Sequence, residues 1–241
     1  MNHKFKGTGV ALVTPFTADG SIDFEALTRL VKLQISGGTD FLVVQGTTGE
    51  SPVLSQDEKM KVLKHVMEVN QRQLPVVYGL GGNNTADICE KIKILPEGLD
   101  GLLSVSPYYN KPLQAGIIAH YKAISRCTQL PIILYNVPGR TSSNITAETT
   151  IELSKISNIV AIKEASGDFD QIMEILKNKT KDFTVLSGDD AITMPLISMG
   201  VEGVISVVAN ALPERFSSMV NRALNNAVSY THLRAHETDR Y

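Results

Sequence analysis

An ammonium group ends an apolar run. In the segment NIVAIKEASG, Asn158 to Gly167, Lys163 follows Ile159-Val160-Ala161-Ile162 with no polar spacer. A free lysine has a pKa of about 10.4, so roughly one in a few thousand is neutral at pH 7. Desolvation at an apolar strand end lowers that value, and the neutral amine so supplied can condense with a carbonyl to form a Schiff base. The same side chain can instead be structural, paired with an acid or with its head in water. Other segments bear on the choice. GTTGES, Gly46 to Ser51, sets two glycines around two threonines, a turn whose backbone N–H groups and hydroxyls can converge on an anion. It lacks the Gly-Lys-Ser/Thr of a phosphate loop, so a carboxylate suits it better. YNVPGRT carries Tyr135, a phenolic proton carrier, and Arg140, whose fork grips carboxylates. SPYYNKP adds Tyr108 and Tyr109, and SGDD closes a further apolar run. Four polar or anion-binding segments around one lysine point to catalysis.

Positioning such groups needs strands with a common direction. Short apolar runs begin at Gly9, Phe41, Pro75, Gly101, Pro131, Asn158, Phe183 and Gly203, recurring about every 28 residues. Between them lie stretches of helical period. Asp23 to Ser36 puts Phe24, Leu27, Leu30 and Val31 on one face, and Ser55 to Asn70 opens with a Ser55/Glu58 capping box. Such alternation predicts parallel strands with helical crossovers, and eight units favour a closed (β/α)8 TIM barrel. The competing open, doubly wound sheet would carry Gly-x-Gly-x-x-Gly after its first strand, whereas Gly9 leads into VTPFTADG. Strict alternation puts Ile159, Ala161 and Lys163 on one face of their strand, and Val160 and Ile162 on the other. If the first set faces inward, Lys163 points into the barrel mouth, where active sites of this fold sit.

Bulk properties exclude other classes. The chain has 241 residues, 43% hydrophobic and 20% charged, with a net charge of -2 and no tryptophan. It offers no basic field for nucleic acid or an anionic membrane. The apolar run Val10 to Val13 is too short for a signal peptide or a membrane span. Cys89 and Cys127 lack metal-ligand spacing and make no disulfide framework, so free thiols in a reducing cytoplasm are expected.

GTTGES, SPYYNKP, YNVPGRT, IKEASG, SGDD and GVISV occur in that order. From about Gly7 to about Asn226 the chain resembles the dihydrodipicolinate synthases, or 4-hydroxy-tetrahydrodipicolinate synthases, of the pyruvate-dependent class I aldolases. The resemblance implies that Lys163 forms an imine with pyruvate, whose enamine attacks L-aspartate 4-semialdehyde. Thr47, Tyr135 and Tyr109 would form a proton relay, with Tyr109 supplied by a neighbouring subunit of a homodimer or homotetramer. Thr48 would hold the pyruvate carboxylate and Arg140 that of the semialdehyde, while backbone groups at Gly188 and Ile205 surround the lysine. No metal or organic cofactor is implied. An L-lysine effector cleft would be lined by Ser51, Pro52, Gln56, Lys59, Asn83, Asp87 and Tyr108, with Gln56 and Lys59 where lysine-sensitive members often carry histidine. N-acetylneuraminate lyases and keto-deoxy-sugar-acid aldolases share the lysine and tyrosine, but an arginine like Arg140 points to the synthases. A folded but inactive barrel is the remaining alternative.

After RALNNA the sequence reads VSYTHLRAHETDRY, similar to the conceptual translation of a sequencing adapter. Residues 1–227 are therefore expected to form the barrel and 228–241 to be foreign to it. The helical segment that the resemblance implies beyond the eighth barrel helix is expected to be missing. His232 and His236 have an i,i+4 spacing but no third ligand, so no metal site is expected there.

Overall fold

Each of the eight apolar runs forms a strand. They are β1 (Gly7–Ala11), β2 (Phe41–Val44), β3 (Val76–Gly79), β4 (Gly101–Val105), β5 (Ile132–Asn136), β6 (Ile159–Glu164), β7 (Thr184–Ser187) and β8 (Gly203–Ser206). In the computed structural model, which describes residues 4–225, neighbouring strands pair in parallel in sequence order. β8 returns to β1, with Gly9 opposite Ile205, so the sheet closes and the open-sheet alternative falls.

The helices among the described residues are α1 (Phe24–Ser36), α2 (Gln56–Asn70), α3 (Thr85–Lys93), α4 (Gln114–Arg126) and the short α5 (Pro138–Thr141). They continue with α6 (Ala147–Leu153), α7 (Phe169–Asn178), α8 (Thr193–Ser198) and α9 (Pro213–Leu224). Five of them, α1, α2, α3, α6 and α7, start at side-chain caps. Asp23 accepts from the Ala26 N–H, Asp168 accepts from the Gln171 N–H, and Ser55 and Glu58 make the expected reciprocal box. Each cap satisfies a donor that the first helical turn leaves unpaired, worth about 1 kcal/mol.

Two apolar layers result. One lies between sheet and helices and joins Leu42, Leu134 and Ile162 to Leu27, Leu63 and Ile172. The other fills the barrel with Phe5, Phe41, Val77, Leu103, Ile133, Ala161, Leu186 and Ile205. Phe5 and Phe41 meet edge to face at 5.6 Å.

Strict alternation fails at one place in β6. Ile132 pairs with Ile159, but Ile133 pairs with Ala161, so Val160 is an extra residue in a β-bulge. Val160 therefore joins Ala161 inside the barrel, while Ile159 joins Ile162 beneath the helices. The expectation that Ile159 shares a face with Ala161 and Lys163, and Val160 with Ile162, is corrected. Beyond the bulge the alternation is regular, with Tyr135 opposite Lys163 and Asn136 opposite Glu164.

The cysteine expectation is also corrected. Cys89 of α3 and Cys127, just past α4, form a disulfide. The two helices are neighbours around the barrel and bring the Cα atoms to 5.6 Å, within bridging range. Counting two cysteines along the chain missed that proximity. Among the described residues, no helix is long and apolar enough to cross a membrane. The 228–241 segment, with His232 and His236, lies outside the described residues, as does the boundary at 227.

Candidate active site

The carboxyl ends of the strands open on a cavity of about 800 Å³. Thr47, Thr48, Tyr135, Arg140, Lys163, Gly188 and Asp190 are among its walls. Lys163 enters from β6 and is only 4% exposed. Its Nζ lies 4.5 Å from the centroid of the Tyr135 ring, supplied by the adjacent β5. Gly188, directly after β7, makes room for the lysine arm. A Cβ there would stand 2.6 Å from Ala165 Cβ and 3.2 Å from Lys163 Cε.

This setting changes the amine. Burial pushes the Lys163 pKa down to about 8; the Asp190 carboxylate opposes the shift and the Arg140 guanidinium assists it. At pH 7 roughly one lysine in ten is then neutral, a gain on the order of two hundredfold over a free side chain. Tyr135 is held above the usual phenol range by burial, with the Thr47 hydroxyl and Arg140 pulling the other way.

Backbone geometry places the remaining groups. Thr47 and Thr48 stand on a single 3-10 turn, Thr47–Gly49, at the end of β2. The Thr14 hydroxyl donates to the Gly49 carbonyl at 2.7 Å and pins that turn to the loop after β1. Arg140 sits on α5, which Pro138 initiates three residues after Tyr135. Proline suits that first helical position because its missing N–H would have no partner there.

Two expected site residues do not line this cavity. Ile205 is packed in the barrel interior and is not among the cavity's walls. Tyr109, in the segment between β4 and α4, is 88% exposed and also stands outside that cavity. Its φ of +75° is a left-handed conformation that a bulky side chain rarely adopts.

A second cavity of about 440 Å³ shares Thr47, Tyr135, Val137 and Arg140 with the first. Ser51, Pro52, Gln56, Lys59 and Tyr108 line it, as expected for the cleft, but Asn83 and Asp87 do not. Asn83 donates to the Tyr108 carbonyl at 3.2 Å. Asp87 instead pairs at 2.6 Å with Lys91, which does line the cavity. The Lys59 pKa is lowered, first by burial and then by the charge of Lys91.

Sequence reasoning missed two acids. Asp190, the second acid of SGDD, accepts from the Val207 and Val208 N–H groups at 2.9 Å each, which ties the loop after β7 to the end of β8. Glu164 is buried behind the lysine, on the helix side of β6, with its pKa raised by burial against four opposing hydrogen-bond contributions. An acid directly after a lysine in an apolar strand was the available signal for it.

A closed (β/α)8 barrel with a buried, partly neutral amine against a phenol at its mouth defines a barrel equipped for carbonyl chemistry. Residues 4–238 match the model of the Dihydrodipicolinate synthetase family, and the chain belongs to that family. It is 53% identical over 221 residues to a 4-hydroxy-tetrahydrodipicolinate synthase of Parabacteroides distasonis, spanning 91% of this chain and 74% of that protein. It matches the dihydrodipicolinate synthase of Acinetobacter baumannii, solved in complex with pyruvate, with a TM-score of 0.89. That pair is 39% identical over 94% of this chain and 80% of the other. The Cyanidioschyzon merolae enzyme, solved with lysine bound, gives a TM-score of 0.86 at 41% identity over 92% of this chain and 76% of its own.

Proposed function

We propose that the chain condenses pyruvate with L-aspartate 4-semialdehyde through a Schiff base on Lys163, giving 4-hydroxy-tetrahydrodipicolinate on the diaminopimelate route to lysine. The observation that carries this reading is a buried amine with its pKa near 8, facing a phenol in a cavity that also holds a threonine turn and an arginine. The neutral Lys163 amine attacks the pyruvate carbonyl, and loss of water gives the imine. Removal of a methyl proton yields an enamine, whose carbon adds to the aldehyde. The adduct's amino group then displaces Lys163 and closes the ring, so one water is the sole by-product. Thr48 and the adjacent turn N–H groups hold the pyruvate carboxylate. Arg140 holds that of the semialdehyde.

Tyr135 and Thr47 move the protons, completed by Tyr109 of a second copy of the chain. Holding an aromatic residue outward at a left-handed φ costs on the order of 1–3 kcal/mol, which an intersubunit role would offset. A homodimer, alone or within a homotetramer, belongs to this proposal. Coupled assays with pyruvate and either aspartate semialdehyde or sugar aldehydes test the substrate. Turnover with the semialdehyde alone is expected; turnover with sugar aldehydes alone would overturn it. A cytoplasmic setting is retained from the family reading, because the free-thiol argument for it no longer stands.

The second cavity suits an L-lysine effector poorly. Lys59 and Lys91 both stand on its wall, and the carboxylate of Asp87 already has an ammonium partner. At about 6 Å and an effective dielectric near 20, each like-charge contact costs about 3 kcal/mol before salt screening. Titration calorimetry with L-lysine is therefore expected to show weak binding or none, and saturable micromolar binding would refute this.

A further inference from the structure

Glu164 is 1% exposed, and its side-chain carboxylate faces hydrogen-bond donors only. The Ser166 N–H reaches Oε1 at 2.7 Å, the Gln171 amide reaches Oε2 at 3.2 Å, and the Asn136 amide spans both oxygens at 3.1 and 3.0 Å. Asn136 Nδ2 also donates to Asn144 Oδ1 at 2.8 Å, while its Oδ1 accepts from the Ile145 N–H at 2.9 Å. Asn144 closes the ring by donating to Gln171 Oε1 at 2.7 Å. Four side chains thus join the end of β5, the segment after α5, the end of β6 and the first turn of α7.

Three groups of the site hang from this ring by a short length of backbone. Tyr135 precedes Asn136 and Lys163 precedes Glu164. Arg140 lies in the loop that Asn136 closes onto Ile145. The Glu164 carbonyl also accepts from the Gly188 N–H at 2.7 Å, which fixes the glycine beside the lysine arm. The alternation beyond the bulge makes this possible, because it turns Lys163 into the barrel and Glu164 away from it.

We infer that Glu164 is a positioning residue, whose carboxylate acts through Asn136 to set Lys163 against Tyr135 and Arg140. The inference rests on the reading of Lys163 as the imine-forming amine. A buried carboxylate is an expensive way to fill space, and an apolar side chain would pack there without desolvating a charge. What the site requires is an acceptor at both oxygens. Glutamine has the same shape but presents an NH2 group to one set of donors, so the ring cannot close as it does now. Reactions at a preorganised site respond steeply to such a change, since a misplacement of about 1 Å can cost about a hundredfold.

The test measures borohydride-trapped pyruvate adduct on Lys163 over time, as a function of pyruvate concentration. For Glu164→Gln, trapping at saturating pyruvate is expected to slow roughly tenfold to hundredfold, with half-saturation changed less than about threefold. The carboxylate-binding turn at Thr47–Gly49 lies outside the ring, hence the split. Adding Asn136→Asp to that variant returns an acceptor opposite the new donor and is expected to recover most of the rate. A folded Glu164→Gln protein that traps at the unaltered rate overturns the inference, as does a double variant no faster than the single one. Should Glu164→Gln not fold, Gln171→Leu at the half-buried rim carries the test. It is expected to slow trapping several-fold, and no slowing overturns the inference. Absence of adduct in the unaltered chain would instead remove the reading of Lys163 itself, and this inference with it.

Discussion

Lys163→Ala is expected to abolish the borohydride-stable pyruvate adduct, and Lys163→Arg to fail equally. Arginine keeps the charge and much of the length but supplies no neutral nitrogen at any useful pH. A reduced adduct in either variant would place the nucleophile elsewhere. The same lysine sets a pH signature. With a pKa of about 8, the neutral fraction rises tenfold per pH unit below that value and levels off above it. Imine formation should follow that curve, rather than climbing to about 10.4 as for a solvated lysine. Stability carries the matching sign. The folded pKa lies below the unfolded one, so the unfolded chain binds more protons between about pH 8 and pH 10.4. Burying the ammonium therefore costs on the order of 3 kcal/mol below about pH 8, and that cost fades as pH rises toward 10.4. Lys163→Met should unfold at higher denaturant than the unaltered chain at pH 7, with the difference shrinking by pH 10. A difference independent of pH would contradict the depressed pKa.

Arg140→Ala should impair use of aspartate semialdehyde far more than binding of pyruvate. The guanidinium stands at the junction of both cavities, and it is carried on a short helix rather than on the strand that bears Tyr135. Loss of a charge-assisted, two-pronged contact to a carboxylate should remove on the order of 2–4 kcal/mol of transition-state stabilisation, roughly thirtyfold to several hundredfold. A second effect separates this residue from a general disturbance of the mouth. Arg140 helps hold the Lys163 pKa down, so its removal should move the pH profile of imine formation upward. Steady-state kinetics with each substrate varied in turn checks the first effect, and trapping across pH checks the second. Equal weakening for both substrates would contradict the assignment.

These expectations draw on groups that could be found in the sequence for a clear reason. Strand ends in a parallel barrel all open on one face, so a lysine, a tyrosine and a threonine turn ending separate strands must meet there. The structure gathers Lys163, Tyr135, Thr47, Thr48, Arg140 and Gly188 on one cavity accordingly. What escaped was geometry that depends on contacts across the fold. The pairing of Cys89 with Cys127 needs two helices set side by side. Asn136, Asn144, Glu164 and Gln171 have no shared spacing, so nothing short of the folded loops brings them into one ring.

The bulge at Val160 divides its strand into two parts of opposite phase. Counted upward from Ile159 with every residue, Val160 included, in strict alternation, an unbroken pleat would turn Lys163 toward the helices and Glu164 into the barrel. The bulge is thus the point that sorts an amine from an acid standing side by side in the chain. It also insulates one part from the other. Below it, the base of the strand is held by the pairing of Ile159 with Ile132 and by packing, with Ile159 under the helices and Val160 in the interior. Above it, orientation is pinned by the pairing of Tyr135 with Lys163 and of Lys163 with Leu186. Changes of side-chain volume at the base can therefore accumulate through evolution or design without rotating the chemistry above, and β6 is a strand that can be rebuilt from below.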